Sequence, residues 1–291
     1  MTDPPRFAIL EDRGVLAVSG PDRVDFLQGL VSNDITKVAT GLAVYAAFLT
    51  PQGKYLHDFF ISEAEDVLLL ECELGGLAAL QKRLSMYKLR AEVSLADQSQ
   101  DLAVAAIFGE GSADATLEGI AVYADPRLAK AGVRCILSKG DAETILEKAG
   151  FTATDPADYD RLRLSLGLPD ASRDLIPEKS ILLENGFDEL NGIDWNKGCY
   201  MGQELTARTK YRGLVKKRLM PVTFDGPPPE PGTPVMQGDK EAGEVRSCQT
   251  TEYGGLGLAL IRLDALKDAA ELIAGGVNVT PRKPDWMAFQ D

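Results

Sequence analysis

The stretch Lys197-Gly198-Cys199-Tyr200-Met201-Gly202-Gln203-Glu204 combines a thiol, a lysine two residues before it and a glycine on either side. It leads into a run with helical character through Arg212, which Gly213 closes at the first position past the helix. A thiol one turn ahead of a helix meets unpaired N–H groups and the positive end of the helix dipole, and a nearby lysine adds charge of the same sign. That setting favours the thiolate and would suit thiolate chemistry or transient metal ligation. The flanking glycines permit close backbone approach of a ligand. The competing reading is that Cys199 is a small buried hydrophobe, as most cysteines are. Cys72 and Cys135 stand in apolar strand contexts and read as core, whereas nothing distinguishes Cys248.

Asp58 is the second candidate. If residues 55–61 form a strand, Leu56, Asp58 and Phe60 point to one side and Tyr55, His57, Phe59 and Ile61 to the other. A carboxylate between apolar neighbours must be paired, hydrogen-bonded or at an edge beside solvent. A ligand N–H donor is one such partner. His57, the only histidine, faces the opposite way, which argues against a His57–Asp58 dyad and against a Cys–His hydrolase.

Residues 197–218 hold seven Lys and Arg against one acid, a balance of +6 beside −19 for the remaining residues. Such an island on an acidic chain can select an anionic ligand. Glu204, Arg208 and Arg212 share a helical face, so part of that charge can pair with itself. A solvated helix face explains the same pattern.

These residues need a scaffold. Phe7–Leu10, Val15–Val18, Val44–Leu49, Tyr55–Ile61, Val67–Cys72, Leu102–Phe108 and Val133–Leu137 read as strands. Val24, Leu27, Leu30 and Val31 have helical spacing, as do stretches at about 77–89, 142–149 and 159–166. Thr50-Pro51-Gln52-Gly53 reads as a hairpin turn. Prolines 227, 228, 229, 231 and 234 break the chain before a β-rich end with one helix near 264–273. The expectation is α+β: two related lobes at 1–100 and 101–215, which can interleave, and a C-terminal β-barrel at 216–291.

The chain has 291 residues, 45% of them apolar, with a net charge of −13. A single histidine excludes sites built from several imidazoles. Four cysteines without a C-x-x-C pair exclude a zinc ribbon or thioredoxin motif and argue against a disulfide scaffold. The charge argues against a general affinity for nucleic acid or anionic membrane. The start, MTDPPRFAILEDRG, lacks a secretory pattern and no apolar run is long enough to span a bilayer. A cytoplasmic location is therefore expected.

KGCYMGQE followed by LTARTKYRG is similar to the signature of the YgfZ family of folate-binding proteins, relatives of the T-protein, the aminomethyltransferase of the glycine cleavage system. Residues 26–34 (FLQGLVSND), 49–54 (LTPQGK) and 162–169 (LRLSLGLP) also resemble family segments. The resemblance implies a ring-like arrangement of two α+β lobes and a barrel around tetrahydrofolate, polyglutamylated or not. It further implies a role in assembly or repair of iron–sulfur clusters, and thereby support of iron–sulfur proteins such as the enzymes that thiolate tRNA. The essential family cysteine matches Cys199 and the catalytic strand carboxylate of the T-protein branch matches Asp58. The cofactor-binding set expected from this is Asp58, Asn33, Lys197, Tyr200, Gln203, Arg208 and Arg212, with the basic island suiting the glutamate tail of folate.

Two positions depart from the family. A glutamate that holds the pterin in related proteins falls at Ser165, and a hydroxyl cannot replace a bidentate anionic acceptor. Where T-proteins carry two adjacent acids, this chain has His57-Asp58. An accessory factor is therefore expected ahead of a true aminomethyl- or methyltransferase. A non-catalytic binding module is the third reading, and no resident metal is expected because one Cys with scattered acids defines no first shell.

Overall fold

A computed structural model describes residues 5–114, 117–267 and 270–288. The chain divides into two compact units. The first comprises Met1–Leu49, Leu56–Tyr159 and Asn191–Met201, and the second Thr50–Tyr55, Asp160–Leu190 and Gly202–Asp291.

In chain order the first unit draws on strands β1 (Arg6–Ile9) and β2 (Arg13–Ser19), helix α1 (Arg23–Gln28), β3 (Val44–Leu49), β4 (Tyr55–Ala64), β5 (Val67–Glu73), α2 (Leu74–Tyr87), β6 (Ser94–Asp97), β7 (Leu102–Phe108), β8 (Ala121–Ala124), β9 (Val133–Ser138), α3 (Ala142–Lys148) and β10 (Thr152–Ala153). They form two five-stranded sheets, ordered β3-β4-β5-β2-β6 and β10-β1-β7-β9-β8. β1 and β2 are neighbours in sequence yet belong to different sheets, so the turn between them is a crossing and not a hairpin.

Alternation along the strands sorts the side chains into layers. Leu16, Val18, Phe59, Ile61, Leu68, Leu70 and Cys72 pack with Leu77, Leu80 and Leu84 of α2. Ala105, Ile107, Val133, Cys135 and Leu137 pack with Ala142 and Leu146 of α3. The intervening residues of both sheets meet in a polar seam. There Glu71, fully buried, accepts from Arg134 Nε at 2.9 Å, Arg13 Nε at 3.0 Å and the Tyr123 hydroxyl at 2.9 Å. The Arg134 and Arg127 guanidiniums lie 4.3 and 4.7 Å from the centre of the Phe60 ring. Burial opposes ionisation of Glu71, but the two arginines and the Tyr123 hydroxyl outweigh it and hold its carboxyl down at about 2. Because both faces of these strands are covered, they read in the sequence as nearly continuous apolar runs.

The second unit contains most of α4 (Pro156–Leu166), then α5 (Ala171–Asp174), α6 (Gln203–Tyr211), β11 (Lys217–Phe224), β12 (Pro234–Gln237), β13 (Lys240–Thr251), β14 (Gly254–Arg262), α7 (Leu263–Lys267), β15 (Leu272–Ala274) and β16 (Val277–Pro281). Its strands close into a barrel in the order β11-β14-β13-β12-β15-β16, which leaves no open sheet edge. Val222, Phe224, Val235, Val245, Ile261 and Val279 fill its core. α4 and α5 are fastened to β13 by Arg163, which donates to Asp174 at 2.9 Å and to Ser247 at 3.0 Å.

Several expectations are corrected. The helix expected near 264–273 stops at Lys267, and Leu272–Ala274 is a barrel strand; residues 268 and 269 lie outside the described set. α1 ends at Gln28; Leu30 follows in a turn and Val31 bridges Phe48, both buried. Leu56 packs with Phe59 and Ile61, so strict alternation fails at that end of β4. No helix among the described residues is long and apolar enough to cross a membrane.

Candidate functional site

The segment carrying Cys199 is an irregular loop of the first unit, stitched to the turn after α1. Asp194 N–H donates to the Ser32 carbonyl at 3.0 Å, and Ser32 Oγ to the Gly192 carbonyl at 2.6 Å. Asn33 Nδ2 donates to the Asn191 carbonyl at 2.7 Å, and Met201 N–H to the Gly29 carbonyl at 3.2 Å. Lys197 Nζ reaches across to the carbonyls of Val31 at 2.7 Å and Asn33 at 2.5 Å. Asp194 closes its own turn by accepting from the N–H groups of Asn196 and Lys197 at 2.7 and 3.0 Å, and its other oxygen meets the Lys37 ammonium. A loop with no regular structure is thereby fixed on both sides of the thiol.

Of the four cysteines, Cys199 alone is exposed. Burial pushes the Cys72 and Cys135 thiols up to about 12, and both stay protonated within the core. Burial also raises the Cys248 thiol, whose Sγ lies 3.3 Å from the Pro229 carbonyl. Lys197 sits 5.3 Å from the centre of the Tyr200 ring, and burial pushes its ammonium down to about 8 against the charges of Asp34 and Asp194.

Asp58 lies on β4, an interior strand flanked by β3 and β5. The edge position that the sequence left open is thus excluded. Asp58 is buried and accepts from the Tyr45 hydroxyl at 2.9 Å. Burial, reinforced by the Asp58 charge, raises the Tyr45 phenol well above its ordinary value, so it remains a donor. The Arg127 guanidinium stacks 5.5 Å from the Tyr45 ring and is itself held by Asp125 through bonds of 3.0 and 2.8 Å. His57 faces the α2 side, where a Cβ added at Gly76 would meet its Nδ1 at 3.5 Å. Burial, with the Arg83 charge, pushes its imidazole down to about 4. Asp58 and His57 therefore serve opposite faces of one strand.

Asn33 and Tyr45 join these two places. Asn33 Nδ2 donates to the Tyr45 carbonyl at 2.7 Å as well as to Asn191. From Asp58 the contacts run through Tyr45 and Asn33 to Lys197 and Tyr200. Asp58 and Lys197 are thus linked through Tyr45 and Asn33, with Asp58 at the phenol end of Tyr45 and Asn33 at its backbone carbonyl. Cys199 lies between Lys197 and Tyr200 in sequence. Both Asn33 amide hydrogens and two donors of Lys197 are used on backbone carbonyls.

The second half of the motif belongs to the second unit. Gly202, at φ +80°, precedes α6, so Cys199 stands four residues before the first helical residue and outside the turn where the dipole acts. A Cβ at Gly53, the hairpin glycine with φ +77°, would lie 2.7 Å from the Gly202 carbonyl and 2.6 Å from Leu205 Cβ, which fixes glycine there. α6 ends as a capped turn: Gly213 N–H bonds to the Lys210 carbonyl at 3.1 Å and Leu214 N–H to the Thr209 carbonyl at 3.0 Å. Gln203 is half-buried in its first turn; Arg208, Lys210 and Arg212 are exposed, and Lys210 pairs with Asp188 at 3.2 Å. Ser165 Oγ donates to the Leu162 carbonyl at 2.7 Å, so its hydroxyl hydrogen is engaged by its own helix.

Sequence reasoning missed Tyr45, Glu71, Asp125, Arg127, Arg134 and Asp194. Asp194 carried a usable signal, since Asp two and three residues before Asn196 and Lys197 is the spacing of a side-chain-closed turn. The seam residues come from four separate segments and carried none. Among the described residues no three of His, Cys, Asp and Glu converge as a metal-binding group.

Residues 11–153 match the GCVT N-terminal domain and residues 216–289 match the C-terminal beta-barrel domain of CAF17. The fold is that of the glycine cleavage system aminomethyltransferase T from Bartonella henselae, with a TM-score of 0.77 at 16% identity over 97% of this chain and 86% of that one. The mitochondrial iron–sulfur cluster assembly factor IBA57 of Mus musculus is 35% identical over 95% of this chain and 84% of its own length. The Homo sapiens protein of the same name is 34% identical with the same coverage. The homologue from Dictyostelium discoideum is 30% identical over 74% and 62%. All three are named as mitochondrial, which overturns the cytoplasmic expectation: lack of a secretory pattern bears on secretion alone. The T-protein relationship inferred from the motif stands, and the member these matches name is IBA57, not YgfZ. The chain belongs to the IBA57 family of iron–sulfur cluster assembly factors.

Proposed function

We propose that this protein is a tetrahydrofolate-binding accessory factor for iron–sulfur cluster assembly, with Cys199 as its reactive thiol. Family membership carries the assembly role. The observation that carries the thiol is its setting: an exposed cysteine on an otherwise irregular loop, held in place on both sides by backbone anchors. With no clustered His, Cys, Asp or Glu among the described residues, Cys199 offers iron one ligand. Any cluster handled here as cargo takes its other ligands from another molecule.

The fit to folate rests on Asp58. A buried carboxylate fixed by a tyrosine whose phenol burial keeps protonated is an acceptor for the N–H donors of a pterin. Ser165 does not fit that ligand, because its hydroxyl is engaged by its own helix and bears no charge. Tyr200 would offer a ring face, while Asn33 and Lys197 would shape the site through the loop they hold. Gln203, Arg208 and Arg212 enter through motif and charge, as contacts for the glutamate tail. Folate would supply a one-carbon carrier; the chain's own part is to bind and orient it.

Titration calorimetry with mono- and polyglutamylated tetrahydrofolate tests the reading. Binding of both, tighter for the longer tail, is expected. Absence of binding by either removes the cofactor, while equal affinity removes only the tail assignment. Cells lacking the endogenous factor test the thiol: Cys199→Ala should leave iron–sulfur enzymes inactive, and full restoration overturns its role. The transferase alternative predicts instead that methylene-tetrahydrofolate formation is measurable, lost in Asp58→Asn and kept in Cys199→Ala.

A further inference from the structure

α2 ends in an unusual way. Lys88 caps it in the right-handed region, and the next residue, where glycine normally stands, is Leu89 at φ +42°. A side chain in the left-handed region is disfavoured relative to glycine. This one recovers nothing by packing, for Leu89 is 90% exposed. Met86 and Tyr87 beside it are 59% and 36% exposed, so three large apolar residues crowd one helix end. Residues 74–91 contain Lys82, Arg83, Lys88 and Arg90 and no acid, on a chain of net charge −13. Backbone strain together with unburied apolar surface points to a use outside the monomer.

We propose that this end of α2 is a docking surface for an acidic face of a partner protein that carries an apolar residue, with Leu89 and Met86 as its apolar anchors. The inference rests on the assembly-factor reading, in which a cluster must pass to or from another protein. Charge decides the class of partner. An acidic protein is repelled by most of this chain and attracted at this stretch, so the basic residues select both the partner and its orientation. Met and Tyr are enriched at interfaces. Here Met86 and Leu89 stand beside Lys88 and Arg90 in the chain, while Tyr87 meets the Phe48 ring edge-on at 5.9 Å and is the least exposed of the three.

The test uses the full chain and a short fluorescein-labelled peptide of Asp and Glu with two leucines. Fluorescence anisotropy should show binding that weakens with salt and falls about tenfold in Lys88→Glu/Arg90→Glu. Leu89→Gly should weaken it several-fold while the melting temperature stays level or rises, because glycine accepts the backbone. A fall in melting temperature in Leu89→Gly would show a role inside the fold and overturn the proposal. So would equal affinity for a peptide without leucine, preferential binding to anionic vesicles through the same residues, or self-association lost in Leu89→Gly. Cys199→Ala should bind the peptide as the parent does, so failure of the thiol assignment leaves this result intact.

Discussion

The Tyr45 hydroxyl donates to the Asp58 carboxylate at 2.9 Å, both groups being buried on the face of β3 and β4 that looks into the seam. Asn can still accept that bond, so Asp58→Asn should alter stability by less than about 1 kcal/mol. Loss of a charge-assisted bond to ligand should weaken tetrahydrofolate binding by roughly 10–100-fold. Calorimetry and thermal melting read the two effects separately. Tyr45→Phe reverses the pattern and should cost about 1–3 kcal/mol of stability, since a buried acceptor loses a donor.

Lys197 anchors the cysteine loop through the carbonyls of Val31 and Asn33. Lys197→Met keeps the apolar stem and leaves two buried acceptors unmet, at a cost of about 1–3 kcal/mol each at most. Hydrogen exchange should accelerate across residues 194–201 while the sheets stay protected. Because burial pushes the ammonium down to about 8 from 10.5 in the unfolded chain, its ionisation opposes folding below pH 8. That opposition is relieved as pH rises from about 8 towards 10.5, and Lys197→Met should abolish this part of the pH dependence of stability.

Exposure separates the cysteines. Iodoacetamide should label Cys199 in the native protein far faster than Cys72 and Cys135, whose thiols are buried and pushed up to about 12. Peptide mass mapping after a short pulse reads this directly. Cys199→Ala should melt within about 0.5 kcal/mol of the parent, as an exposed side chain without a packing role.

Glu71 couples the seam to acid. Its folded value near 2, below 4.5 in the unfolded chain, contributes stability that is complete above about pH 4.5 and lost as pH falls towards 2. The difference corresponds to roughly 3 kcal/mol. Glu71→Gln should flatten urea-melt stability over that window. Arg134→Met, which leaves the buried carboxylate only Arg13 and Tyr123, should cost about 3 kcal/mol at neutral pH.

The candidate site residues were visible in the chain because their signals are local. The motif around Cys199, the hairpin at residues 50–53 and the cap at Gly213 are each fixed by a few neighbouring residues. Strand positions were legible wherever both faces are buried, as in Val44–Leu49 and Leu102–Phe108, since such strands are apolar throughout. Leu272–Ala274 was misread because its strand character comes from pairing with β12 and β16. α2 was expected to start three residues late and to end two residues late, because apolar periodicity runs from Leu77 through Leu89, the residue where the backbone turns left-handed.

The sequence by itself determined the thiol, its glycine frame, the strand carboxylate and the acidic background that a basic island interrupts. Only the tertiary structure decided that Asp58 is interior and bonded to Tyr45, that Lys197 and Asn33 bind backbone, and that Glu71 collects two arginines. Those pairings join residues more than ten and up to 166 positions apart. Burial raises the cost of any unpaired polar group, so such partners are chosen by which segments come to face each other, a choice no local pattern contains.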